Sequence, residues 1–286
     1  MEKIDTSSIS TKYLDIPYAN ISETQTLDIY LPERGKGPFP VIVAIHGGAF
    51  KEGSKRGRDV TPMLKGVEYG YAVVSVDYRL SDEAIFPAAA NDVKAAVRFI
   101  RANAKKYNLN PDRIATWGDS AGGNLASIAG ATGGTNNLYD ISLGYENISD
   151  EITAVVDWFG PMNFLKMDQQ FKASGIKPKL GATSSKTSPE SQYLGTLITE
   201  VPELVKKANP STYISEDSPV FLIQHGTKDA YVPVLQSINY ANDLLEVLDK
   251  SKVKLELLAG AGHGGGQFES EKNLKLVFDF LDEYLK

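Results

Sequence analysis

Ser120 sits in Gly118-Asp119-Ser120-Ala121-Gly122-Gly123, between an apolar run that ends at a glycine and a segment of helix formers. The pattern G-x-S-x-G puts a serine on a sharp strand-to-helix turn, with glycines where the two backbones must approach. The helix that follows aims its N-terminal amides, and the positive end of its dipole, at whatever sits beside Ser120. A serine capping an ordinary helix would leave the same local string. Nucleophilic chemistry asks for more: a base to take the hydroxyl proton, an acid to orient that base, and donors for the oxyanion that forms.

With no cysteine and only three histidines, the base must be His46, His225 or His263. His46 opens His46-Gly47-Gly48-Ala49-Phe50 directly after an apolar run, and the useful feature there is exposed backbone amide. His225 ends another run and reads as a ring packed beside a strand end and bonded to the next loop. His263 stands among five glycines in Ala259-Gly260-Ala261-Gly262-His263-Gly264-Gly265-Gly266, a loop able to bend sharply and carry the ring to a strand end. For the acid, Asp229 lies in a loop four residues beyond His225, whereas Asp157 lies inside its strand, where a carboxylate is more often a structural acceptor. Loop placement favours Asp229. Oxyanion donors would be the amide of Ala121, after the nucleophile, and those of Gly47 and Gly48.

The elements needed to hold these groups are present. Residues 13–16 and 26–31 alternate, as half-buried strands of an antiparallel edge do. Residues 41–45 and 72–76 are continuous runs without alternation, as in strands covered on both faces, and 154–159 and 220–224 read as two further strands. Helical spacing marks residues 60–67, 87–106, 237–248 and 268–285; in the second of these Lys94, Arg98 and Arg101 fall off the apolar face. Alternating strands and helices predict an α/β fold. Its mostly parallel central sheet of about eight strands has helices on both faces, and its chemistry lies at the strands' C-terminal ends. Residues 162–199 break the pattern, with scattered large apolar residues and a polar tract at 183–188, and read as a small flexible cap inserted after strand 6. The expectation is one domain, residues 1–286, with an edge strand at 253–258 that could pair with a second copy.

A net charge of −6 argues against nucleic acid or an anionic membrane as partner. The absence of cysteine excludes disulfides and thiolate catalysis, and no histidine pair has ligand spacing, so neither metal nor other cofactor is expected. A polar N-terminus and the lack of any run of about 18 apolar residues predict a cytoplasmic chain acting on a small molecule.

Together these motifs resemble the α/β-hydrolase superfamily, specifically the hormone-sensitive-lipase-like esterases and the neighbouring bacterial acetyl and feruloyl esterases. His46-Gly47-Gly48-Ala49-Phe50 is similar to the H-G-G-G-[FW] oxyanion motif. Asp77-Tyr78-Arg79-Leu80 with Phe86-Pro87-Ala88 and Asp92 is similar to D-Y-R-L-x-P-E…F-P-A…D, and the elbow matches G-D-S-A-G-G. The resemblance runs from about residue 25 to the C-terminus, and the order Ser120…Asp229…His263 is the one such enzymes use. It implies a Ser120–His263–Asp229 triad, oxyanion donors at Gly47, Gly48 and Ala121, and hydrolysis of short-chain acyl esters, acetyl or feruloyl esters of plant polysaccharide among them. Phe50, Trp158 and Val232 are candidates for the substrate pocket. Asp77, Arg79 and Asp92 read as structural. Ala49 departs from the third glycine, Asp82-Glu83 stands where Pro-Glu is usual, and no long N-terminal helical cap is present. An arylformamidase-like amide hydrolase is the alternative enzyme, and a ligand-binding member of the fold the alternative outside catalysis.

Overall fold

A strand covered on both faces sends successive side chains into two different cores, so it is apolar at most positions without alternation. Residues 41–45 do this: Val41, Val43 and Ile45 enter one buried cluster, Ile42 and Ala44 the other. The computed structural model describes residues 3–286. Its strands are β1 (Lys12–Pro17), β2 (Thr26–Tyr30), β3 (Phe39–Ile45), β4 (Ala72–Val76), β5 (Leu109–Asp119), β6 (Ala154–Trp158), β7 (Val220–Gly226) and β8 (Val253–Leu258). They form one eight-stranded sheet in the order β1-β2-β4-β3-β5-β6-β7-β8. The β1/β2 and β2/β4 pairs are antiparallel, and every pair from β4 to β8 is parallel. The alternating segments are thus the antiparallel edge, and β8 closes the other edge with exposed Lys254 and Leu257.

Nine helices occur among the described residues: α1 (Thr61–Leu64), α2 (Ala88–Ala102), α3 (Ala104–Tyr107), α4 (Ala121–Thr132), α5 (Met167–Ser174), α6 (Pro189–Leu194), α7 (Pro202–Lys207), α8 (Leu235–Leu245) and α9 (Glu271–Leu285). The helix expected over 60–67 is one α turn flanked by 3-10 turns, because Gly66 packs directly against Ile42 and Val73. In α2 the polar positions Lys94 and Arg98 are fully buried. The segment after α4 folds over them: Lys94 Nζ donates to the carbonyls of Thr132 (2.8 Å) and Asn137 (2.9 Å), and Arg98 to those of Asp140 and Gly144. Burial pulls the Lys94 ammonium down to about 8.

Parallel register brings four strand ends to one rim. Ile45 lies opposite Gly118, Asp119 opposite Trp158, and Trp158 opposite Gln224. Residues 162–199 form 3-10 turns and helices α5 and α6, with Met162, Phe164, Met167, Phe171, Tyr193 and Leu194 buried. The polar tract is tied down by side chains: Asp168 accepts from the amides of Thr183 (2.7 Å) and Ser184 (2.9 Å), and Ser188 caps α6. No helix among the described residues is long and apolar enough to cross a membrane.

Candidate active site

Ser120 joins β5 to α4 with φ 52° and ψ −121°, a conformation that costs energy for any residue with a Cβ and that surrounding packing must hold in place. The flanking glycines permit it: a Cβ on Gly118 would overlap the Gly122 carbonyl, and one on Gly122 would overlap the Ile45 carbonyl. The Ser120 amide donates to the Trp158 carbonyl (2.8 Å), which pins the turn to the end of β6.

The glycine-rich loop after β8 brings His263 to this turn. Its Nε2 lies 3.0 Å from Ser120 Oγ, and its Nδ1 lies 2.6 Å from Asp229 Oδ2. Asp229 is completely buried; its Oδ1 accepts from the amides of Tyr231 (2.7 Å) and Val232 (3.0 Å). Burial alone would raise this carboxyl, but hydrogen bonds from His225 and His263 outweigh it and hold Asp229 well below the usual carboxylate range. It is an anion with its charge distributed over several donors. The His263 ring is 17% exposed and packs against Phe159 (centroids 4.5 Å apart) and Tyr231 (5.0 Å).

The segment after β3 is built of left-handed residues, Gly48 (φ 103°), Ala49 (φ 56°) and Phe50 (φ 60°), a turn that presents successive amides. One expected donor must be corrected. The Gly47 amide donates to Asp59 Oδ2 (3.0 Å) and is already spent. The amides of Gly48, Ala49 and Ala121 have no acceptor among the described residues. Asp59 also faces the buried Asp119 carboxyl, which desolvation and this like charge push well above its ordinary range. His46 is buried away from Ser120: its Nδ1–H donates to the Gly47 carbonyl (2.7 Å) and its ring stacks on Tyr78. His225 is likewise buried, as expected of a ring bonded to the following loop.

The three pocket candidates are corrected too, because each is spent in packing. Phe50 is 1% exposed and stacks on Tyr193 (3.9 Å), a residue of α6. Trp158 lies against Trp117 and Phe268 in the opposite core and meets the site only through its carbonyl. Val232 is buried and contributes backbone to the Asp229 loop. Asp77, Arg79 and Asp92 are structural. Arg79 clamps Asp92 through Nε and Nη2 (2.8–3.2 Å), and Asp77 takes the Lys55 ammonium (2.7 Å). Sequence reasoning missed Phe159, Tyr231 and Asp59. Phe159, with φ 45°, read as the last residue of a strand and carried no signal of its turn.

An eight-stranded, mostly parallel sheet with a serine at a β5–α4 elbow, and a histidine and an aspartate from later strand ends, is the α/β-hydrolase fold. The BD-FAE family model matches residues 27–244, and the chain belongs to that family. It is 30% identical over 247 residues to the probable carboxylic ester hydrolase LipM of Mycobacterium tuberculosis, covering 85% of this chain and 54% of LipM. The chain spans about half the length of the curated relatives it matches. A solved structure described as a truncated form of a carbohydrate esterase from gut microbiota is 33% identical, with TM-score 0.86 and 99% of each chain covered. A bifunctional GH43-CE protein of Bacteroides eggerthii is 34% identical, with TM-score 0.82, over 95% of this chain and 35% of that one.

Proposed function

We propose that this chain is a serine carboxylesterase of short-chain acyl esters, built as one α/β-hydrolase domain whose 162–199 insertion borders the site. The observation that carries the reading is the chain of contacts Ser120 Oγ–His263 Nε2 (3.0 Å) and His263 Nδ1–Asp229 Oδ2 (2.6 Å). His263 takes the Ser120 proton as Oγ attacks the ester carbonyl, while Asp229 stabilises the imidazolium. The oxyanion rests on the amides of Gly48, Ala49 and Ala121. The tetrahedral intermediate collapses with a proton from His263 to the leaving alcohol. Water then attacks the acyl-enzyme, with His263 again as base.

Two features support a short acyl group on a hydrophilic alcohol. Most large apolar side chains of the insertion are spent in the core; Leu165 and Leu180 are exposed and Ile176 and Leu197 half-buried, which leaves little continuous surface for a long chain. A cleft of about 580 Å³ on the side of the oxyanion loop, from Lys51, holds Ser81, Asp82, Lys186, Gln192 and Thr196 beside the apolar Ile85 and Leu197, a mixed lining that suits a sugar's polar edges and apolar faces. The relative named as a carbohydrate esterase agrees with this. Rates for acetate through palmitate esters at matched, sub-micellar concentrations, alongside acetylated xylan, test the reading. The optimum is expected among the shortest acyl chains, with release of acetate from the xylan. An optimum at laurate or beyond overturns the substrate class.

A further inference from the structure

Asp229 Oδ2 serves two imidazoles. Besides His263 Nδ1 at 2.6 Å, it has His225 Nε2 at 3.3 Å. The same Nε2 lies 3.0 Å from the Val232 carbonyl, which can only accept, so Nε2 carries the proton and donates it to that carbonyl, with Asp229 Oδ2 as the longer, electrostatic contact. Nδ1 of His225 is then a lone pair, 2.7 Å from Ser237 Oγ on α8, whose hydroxyl donates to it. Every polar position of the ring is spent on fixing one tautomer, which puts the positive N–H edge beside the acid. Phe159 covers the ring edge-to-face. The ionisable groups around it are Asp157 on β6, Asp229 and Tyr231 on the following loop, and His263 beyond Asp229. His225 itself has no exposed surface.

We infer that His225 is a positioning residue of the triad: through its Nε2–H it closes the 226–233 loop on the Val232 carbonyl and draws charge from the carboxylate oxygen that holds His263. The inference rests on the Ser120–His263–Asp229 reading above. Removing the donor leaves Asp229 Oδ2 to His263 alone, with the Tyr231 and Val232 amides on Oδ1 as the only other donors to this buried carboxylate. The carboxylate then favours the imidazolium more strongly, and the acid limb of kcat/KM moves to higher pH. The loop also loses its staple, so kcat falls, while KM is unmoved because the ring cannot reach substrate.

The test compares His225→Leu with His225→Gln, whose amide N–H can reach both acceptors. His225→Leu is expected to lower kcat about 10- to 100-fold, to raise the acid limb by about half a pH unit or more, and to leave KM within about twofold. His225→Gln is expected to restore both kcat and the limb. A folded His225→Leu protein with wild-type kcat and an unmoved limb overturns the inference. Where His225→Leu fails to fold, the wild-type protein still decides. With only three histidines in the chain, ring ¹⁵N spectra must show His225 protonated at Nε2 and bare at Nδ1 at active pH. A proton on Nδ1 overturns the inference. Ester turnover by Ser120→Ala would sink the triad reading while leaving this tautomer measurement untouched, so the two failures are separable.

Discussion

Two aspartates at the ends of adjacent strands are equally buried and are driven in opposite directions. Asp157, in β6, and Asp229, just after β7, both have no exposed surface. Asp229 receives two amides on one oxygen and two imidazoles on the other. Asp157 receives one amide, that of Gly160 (2.9 Å), on Oδ1, and its Oδ2 has no partner. Burial, against so little compensation, pushes Asp157 up to about 7, while Asp229 stays ionised. Depth therefore does not select the acid of the site; the number of donors does. Asp157 instead props the start of α4, where a Cβ on Gly123 would overlap its Oδ1.

The largest effect expected from this contrast is on turnover. Asp229→Asn should lower kcat by about 10⁴-fold, because the amide favours the wrong His263 tautomer. Asp157→Asn should leave kcat within a few-fold. A dead Asp157→Asn enzyme beside an active Asp229→Asn one, both folded, would break the comparison and reverse the assignment.

A second effect is on stability and has a definite sign. The folded pKa of Asp157 lies above its ordinary value near 3.8. Between the two values the unfolded chain has released its proton and the folded chain has kept it, so this group makes stability fall as pH rises. Asp157→Asn removes the dependence. Its melting temperature should gain on wild type from about pH 4 to about pH 8, most of the gain accruing below about pH 7. A difference that is flat with pH would mean that Asp157 is better solvated than its unpartnered oxygen implies. The smallest effect belongs to Phe159, the one side chain by which the end of β6 touches the site. Phe159→Leu should cost about three- to tenfold in kcat through a looser His263 ring, measured against an unchanged Ser120 labelling stoichiometry.

The sheet was legible because its signals are local. The runs at 41–45 and 72–76 need no partner to be recognised as buried strands, and the glycines about Ser120 and His263 announce turns. Chain order and loop chemistry then sufficed to bring together Ser120, His263 and Asp229, which are separated by up to 143 positions. What escaped depends on contacts between distant segments. Nothing in His46-Gly47-Gly48 tells that Asp59 will take the Gly47 amide. Phe50 read as a pocket residue because Tyr193, which covers it, arrives more than a hundred residues later. Lys94 and Arg98 fall off the apolar face of their helix and gave no sign of burial, because the segment folded over them lies outside that helix. The 183–188 tract read as loose because its order comes from side-chain bonds to backbone, which leave no hydrophobic period.

The central claim is that Ser120 is the nucleophile, and covalent capture tests it most directly. Paraoxon transfers a diethylphosphoryl group to an activated serine Oγ with loss of p-nitrophenolate, so intact mass should rise by one such group per chain as esterase activity disappears. Peptide mapping should place the adduct on the peptide containing Ser120, and Ser120→Ala should take up no label and lose activity by about 10⁴-fold or more. Label on another residue, or ester turnover surviving in folded Ser120→Ala, would contradict the account.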